Sequence, residues 1–209
     1  MAVMLSVHPQ SPQGRHIARA VAALRDDGVV VYPTDTVYGL GCDITSRRGV
    51  ERITLIKGRD PKKPMSFVCA DLNHISRYAR VSNFAYRILK RHLPGAYTFI
   101  LEATRDVPKM LLTKQKTVGI RIPDHAVALA LVKELDNPVL STSANLSGDE
   151  PINNPAEIQE ILGAQVDVIL DCDVLPRMPS TIVSLVGDKV EVLREGAGDA
   201  SFFLELAAG

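Results

Sequence analysis

The sequence predicts an α/β fold on a twisted, open mixed sheet with flanking helices, and three observations carry this. Short β-branched runs alternate with amphipathic helical segments along most of the chain, the pattern of layered helices on a sheet. Near the C-terminus two alternating runs meet at Gly187-Asp188 as a hairpin, which brings antiparallel pairing into the sheet. Hydrophobic residues make up 46% of the 209, enough to bury a sizeable core. No repeat, low-complexity segment or linker interrupts the chain, so one domain over residues 1–209 is expected.

In order, Ser11-Pro12 opens a helix whose Ile17, Val21 and Leu24 share one face and which Gly28 ends. Val29 to Tyr32 is a buried strand closed by Pro33. Ser46 caps a helix carrying Val50, Ile53 and Ile56, and Met65 to Cys69 is the next strand. Asp71 and Ser82 each cap a helix. Tyr97 to Ala103 and Val118 to Ile122 read as strands, Asp124 to Leu135 as helix, and Pro138 to Ser141 as a short strand. Asn154-Pro155 starts a further helix, and Val166 to Leu170 is strand-like.

Composition narrows the function classes. Lys+Arg and Asp+Glu are 24 each, and this balance argues against a protein coated in nucleic acid, which needs a cationic excess. The N-terminus has no basic stretch followed by a long apolar run, and no apolar run spans a membrane, so a cytoplasmic protein is expected. Cys42, Cys69 and Cys172 are widely spaced without a CxxC pair, and the five histidines show no HxH or HExxH spacing. Neither a disulfide framework nor a protein-held metal is expected.

Familiar nucleotide and hydrolase motifs are missing. There is no GxxxxGK[ST] loop and no GxSxG elbow, and Ile44 stands where a GxGxxG begun at Gly39 needs its third glycine. Any phosphate binding must therefore rest largely on side chains.

Three polar clusters sit next to apolar strands. Thr34-Asp35-Thr36, within the run Tyr32 to Gly41, offers two hydroxyls and a carboxylate at a strand end, where α/β folds collect ligands; an ordinary capped turn would look similar. Lys57-Gly58-Arg59-Asp60-Pro61-Lys62-Lys63-Pro64 holds four cations, read either as a phosphate cradle or as a solvated helix end. Ser141 to Gly148 carries more short hydrogen-bonding side chains than one helix cap uses. Arg121 interrupts an apolar strand, and a buried arginine requires a partner. Ser180-Thr181 and Arg194 flank the late hairpin and could complete the wall.

Together these segments resemble the YrdC/YciO family, whose best-known members are threonylcarbamoyl-adenylate synthases. The similarity runs from about Val29 through Gly196 in motif order: PT[ED]TVYGLG at Pro33 to Gly41, KxR at Lys57 and Arg59, TxGxR at Thr117 to Arg121, SxN at Ser143 and Asn145, then PST and LREG. The resemblance implies a deep concave pocket in the sheet and an ATP-dependent nucleotidyl transfer. ATP, bicarbonate and L-threonine give threonylcarbamoyl-AMP and pyrophosphate, for modification of adenosine 37 in tRNA. It implies a catalytic tetrad of Lys57, Arg59, Ser143 and Asn145. ATP would meet Arg59, Lys63, Thr117, Ser143 and Arg194, and threonine would meet Thr34, Arg121, Ser141 and Ser180. Magnesium would arrive on the ATP phosphates rather than in a protein cage.

Details lean toward the YciO branch. Val68 stands where synthases commonly carry a histidine near threonine, Lys63 replaces an asparagine beside the nucleotide, and Pro151 replaces a serine. Pro94 to Leu101 and Val107 to Leu112 also resemble that branch. The chain ends soon after LREGAG, like the short single-domain form, and a monomer or weak homodimer is expected. Two rival readings remain open: a module for double-stranded RNA or tRNA without catalysis, and a lyase like dihydroxybutanone-phosphate synthase. Aromatic residues at 5% leave few stacking platforms for the first, and only Asp35 and Asp43 could hold metal for the second.

Overall fold

The structure, a computed structural model, describes residues 1–58 and 65–208. Its elements are β1 (Val3–Ser6), α1 (Gly14–Arg25), β2 (Val30–Tyr32), β3 (Gly39–Asp43), α2 (Arg47–Lys57), β4 (Ser66–Val68), α3 (Leu72–Tyr78), α4 (Asn83–His92), β5 (Tyr97–Glu102), β6 (Thr117–Arg121), α5 (Ala126–Leu135), β7 (Val139–Ser143), α6 (Pro155–Leu162), β8 (Val168–Asp171), β9 (Thr181–Ser184), β10 (Glu191–Arg194) and α7 (Ser201–Ala208).

Local chemistry sets the helix boundaries. The Ser46 hydroxyl accepts from the Gly49 amide at 2.8 Å, and Gly58, at φ 55°, ends α2 in the left-handed region. Asp71 and Ser82 cap α3 and α4 as expected, through the His74 and Ala85 amides. Asn154 caps α6, with Pro155 at its first position. At α5 the cap falls one residue later than Asp124: His125 Nδ1 accepts from the Val127 amide at 3.3 Å.

Ten strands form one mixed sheet in the order β1-β8-β2-β3-β7-β4-β6-β5-β9-β10. Pairing is parallel at β1–β8, β8–β2, β4–β6 and β5–β9, and antiparallel elsewhere. Two apolar cores cover its faces. One gathers Ile17, Leu24, Leu131 and Leu135 of α1 and α5 against Val30, Val139 and Leu170. The other gathers Ile53, Ile75, Leu89, Ile158 and Phe203 against Leu40, Phe67, Phe99 and Val183.

Register then writes a row across the sheet. Val68 pairs Arg121, Thr98 pairs Ile182, and Ile182 pairs Arg194; Ile120 opposite Phe99 places Thr98 beside Arg121. Paired residues share a face, so Val68, Arg121, Thr98, Ile182 and Arg194 point the same way. A β-bulge between Val192 and Arg194 is essential to this. Without it Arg194 would oppose Thr181 and turn to the Val183 core face. The neighbouring row is small: Ser66 pairs both Gly119 and Ser141, and Ser141 pairs Gly41.

The sequence reading placed most elements within a few residues and missed three. β1 and α7 were not expected, and β3 lies inside the run read as a polar loop. Glycine is a poor strand former, yet β3 needs it. A Cβ on Gly39 would stand 2.8 Å from Tyr32 Cζ, and one on Gly41 would stand 2.4 Å from Val139 Cγ1. No helix among the described residues is long and apolar enough to cross a membrane.

Candidate functional site

The row of Val68, Arg121, Thr98, Ile182 and Arg194 floors a cavity of about 250 Å³. Its walls bring Thr34, Val37 and Tyr38 from the β2–β3 turn, Ser141 and Ser143 from β7, and Pro179 and Ser180 from the approach to β9. Seven separate stretches of sequence thus meet in it, next to the row of small residues.

Arg121 is the best-held group in it, with 8% of its surface exposed. Its Nη2 donates to Asp35 Oδ1 at 2.5 Å, to Thr36 Oγ1 at 2.8 Å and, longer, to Thr34 Oγ1 at 3.4 Å. The Thr34 hydroxyl in turn donates to the Val37 carbonyl at 2.6 Å, which fixes the turn. All the guanidinium's bonds leave from Nη2, while its buried Nε has no hydrogen-bond partner. A buried donor without a partner costs about 1–3 kcal/mol. The Nη1 nitrogen makes none of these bonds and is not among the buried unpaired atoms, so it is the guanidinium nitrogen left for an acceptor.

Arg194 approaches from the opposite end of the row. Its Nε and Nη2 clamp the Ser180 carbonyl at 3.1 and 2.7 Å, and Nη2 reaches the Ser180 hydroxyl at 3.4 Å. That hydroxyl pairs with Thr98 Oγ1 at 2.9 Å. Burial, and secondarily the Arg121 guanidinium, holds Arg194 below the ordinary arginine range. Two guanidinium groups therefore share a partly dry cavity. Asp35 neutralises only Arg121, and the described lining contains no other carboxylate. Such a cavity favours an anion.

Lys57, Ser143 and Asn145 meet at the end of β7. Lys57 is 3% exposed, and its Nζ donates to Ser143 O (2.9 Å), Asn145 O (2.5 Å) and Asn145 Oδ1 (2.7 Å). These bonds to protein oxygens at the cavity's margin hold the turn after β7. Asn145 Oδ1 also accepts from the Ser143 hydroxyl at 2.5 Å. Asn145 Nδ2 donates to the Leu146 and Asp149 carbonyls.

The expected residues fall into three groups. Thr34, Arg121, Ser141, Ser143, Ser180 and Arg194 line the cavity together, and Lys57 and Asn145 stand behind Ser143. Thr117 begins β6, four residues and about 13 Å along the strand from Arg121, and bonds Thr113 instead. Arg59 and Lys63 lie outside the described residues. The sequence reading missed Tyr38, Ser66, Thr98 and Ile182 in the lining, and Asp35 as the counter-ion of Arg121. Strand alternation from Arg121 would have pointed to Thr98 only once the β5–β6 register was known.

A family model described as Sua5/YciO/YrdC, "Telomere recombination", matches residues 22–196. The YciO protein of Escherichia coli K12 is 42% identical over 206 residues, 98% of this chain and 100% of that one. Its crystal structure superimposes with a TM-score of 0.93 over 97% of this chain and 100% of that one. A threonylcarbamoyl-AMP synthase of Vibrio vulnificus (strain YJ016) is 34% identical, covering 74% of this chain and 85% of its own. The P. abyssi Sua5 structure complexed with L-threonine gives a TM-score of 0.91 at 26% identity, over 98% of this chain and 61% of that chain. A cavity that unites the motif residues of five segments, on a sheet shared with these proteins, places the chain in the Sua5/YciO/YrdC family.

Proposed function

We propose that the chain binds ATP and an amino-acid carboxylate in this cavity and is a nucleotidyltransferase of the threonylcarbamoyl-AMP synthase type, with weakened synthase turnover. The observation that carries the reading is the pair of guanidinium groups, Arg121 and Arg194, in one cavity with a single neutralising carboxylate. The synthase relatives support the reaction class.

In this reading the amine of L-threonine captures CO2 from bicarbonate and loses a proton, giving a carbamate. A carbamate oxygen then attacks the α-phosphorus of ATP, and pyrophosphate leaves. Arg121 takes the threonine carboxylate on Nη1, with Thr34, Ser141 and Ser180 beside it. Arg194 faces the triphosphate, whose charge grows on the departing pyrophosphate. Magnesium comes and goes with ATP, as part of the substrate. Lys57 and Asn145 hold the β7 turn in shape. Arg59 and Lys63, on the segment between α2 and β4, are proposed to complete the phosphate side. RNA or tRNA binding in place of catalysis is the competing outcome.

The weakening follows from Val68, which is 2% exposed and sits beside Arg121 in the floor. It offers no hydrogen bond to the amino-acid end, and misplacing a reactant by about 1 Å can cost on the order of a hundredfold in rate. Calorimetric titration with ATP, then pyrophosphate release in bicarbonate buffer with and without L-threonine, tests both halves. Expected are ATP binding, threonine-dependent turnover well below a synthase run alongside, and a gain in turnover for Val68→His. Turnover equal to the synthase removes the weakening; no ATP binding with tight RNA binding removes the enzyme reading.

A further inference from the structure

Hydrogen-bond directions behind the cavity fix which way its wall hydroxyls point. Asn145 Nδ2 donates to two carbonyls, Leu146 O at 2.9 Å and Asp149 O at 2.6 Å, so the amide oxygen is the atom facing Lys57 and Ser143. An amide oxygen has no proton. In the 2.5 Å contact Ser143 must therefore be the donor, and its single proton is spent there. What Ser143 shows the cavity is lone pairs alone.

Ser141 has the reverse arrangement. Tyr32 is fully buried, and its hydroxyl lies 2.6 Å from Ser141 Oγ. Among the described residues this is the phenol's one hydrogen bond, so donation to Ser141 is the arrangement that leaves no buried O–H unpaired. Burial pushes the phenol up to about 12, so the proton stays in place across ordinary conditions. With an incoming bond filling one lone pair, Ser141 turns its own proton to the cavity. Gly39 makes this possible, since a Cβ there would stand 3.0 Å from Tyr32 Oη and 3.1 Å from Ser141 Oγ.

We propose that β7 presents two hydroxyls of fixed and opposite polarity, Ser141 as donor and Ser143 as acceptor. The ligand lying along it then carries an oxyanion or carbonyl oxygen at Ser141 and an N–H or O–H at Ser143. The two positions are two residues apart on one face, about 6.6 Å along the strand. Ser143 consequently does not grip a phosphate oxygen, because two sets of lone pairs would face each other. Tyr32 acts on Ser141, and Lys57 with Asn145 acts on Ser143, as positioning residues set behind the wall.

The identity of the donor rests on the proposed nucleotidyl transfer: it is either a ribose hydroxyl of ATP or the N–H of the carboxylated amino acid. Two matched comparisons separate these sources. One compares ATP with 2′-deoxy-ATP and 3′-deoxy-ATP. The other compares N-acetyl-L-threonine with 2-acetoxy-3-hydroxybutanoate of the same configuration, in which oxygen replaces the N–H. Each affinity is measured in the native protein and in Ser143→Ala. Removal of the correct donor should cost the native protein about five- to tenfold, and Ser143→Ala should show no difference within the same pair. A swap without effect in every pair, or one whose loss persists in Ser143→Ala, overturns the assignment. If none of these ligands binds, the nucleotidyl-transfer reading fails, but the polarity is still decided by neutron diffraction from deuterated protein. A Ser143 deuteron directed at Asn145 Oδ1 and a Tyr32 deuteron directed at Ser141 are expected; a Ser143 deuteron pointing into the cavity overturns the proposal.

Discussion

Replacing Arg121 by alanine should separate ligand recognition from the stability of the site. The guanidinium donates to Asp35, Thr36 and Thr34 from Nη2 alone, leaving Nη1 for a carboxylate. Losing a hydrogen bond between charged groups costs about 1.5–3 kcal/mol, roughly ten- to hundredfold in Kd. The loss acts in the same direction as charge: with Arg121 gone, Asp35 no longer has its cation and repels an anionic ligand. Stability falls too, because removing one partner of a buried pair strands the other. The range is about 3–5 kcal/mol, and the 13% exposure of the Asp35 side chain places this pair toward its lower end. The double variant Asp35→Asn, Arg121→Ala should recover most of that stability without restoring affinity. Calorimetric titration with L-threonine in bicarbonate buffer, with ATP present, reads affinity, and urea unfolding reads stability. Unchanged carboxylate affinity in Arg121→Ala would refute the reasoning and leave Arg121 as a structural ion pair.

Two further expectations follow from the same network. Burial lowers His125, against the smaller opposing pull of Asp35 and Asp124, so the unfolded chain binds a proton that the folded chain resists. Stability should therefore fall as pH drops below about 6.5, the ordinary histidine value. His125→Asn, which keeps an N-cap acceptor for the Val127 amide, should lose less stability between pH 7.5 and 5.5 in urea titrations. Equal losses would discount His125. Gly39→Ala should destabilise by about 1–3 kcal/mol through its 2.8 Å approach to Tyr32, and weaken ligand binding by displacing Ser141. Unaltered melting and binding in that variant would show that the ring gives way freely.

The legible part of this protein was its punctuation. Ser46, Asp71, Ser82 and Asn154 announced helix starts, and all four cap through their side chains. Arg121 between two isoleucines announced a polar face in an apolar strand, and the structure puts it in the cavity floor. What stayed hidden depends on pairing. β3 looked like a loop because Gly39 and Gly41 lack strand propensity, whereas their fitness lies in contacts with Tyr32 and Val139 far along the chain. Asp35 read either as a ligand-gripping carboxylate or as a turn cap, and only the meeting of the β2–β3 turn with β6 makes it the counter-ion of Arg121.

Register also decides the chemistry of residues whose identity was plain. Arg194, which the sequence offered as a wall residue, lies on β10, the edge strand of the sheet. The bulge after Val192 turns it from the face of Val183 to the face of Ile182, and so into the cavity. Ser141 and Ser143 are the same residue type two positions apart on one face, yet Tyr32 feeds a proton to the first and Asn145 draws one from the second. Tyr32 reaches Ser141 only because β3 between them carries glycine at position 39. The selectivity of this wall is therefore written in β2, β3 and the turn after β7, one layer behind the side chains that a ligand touches.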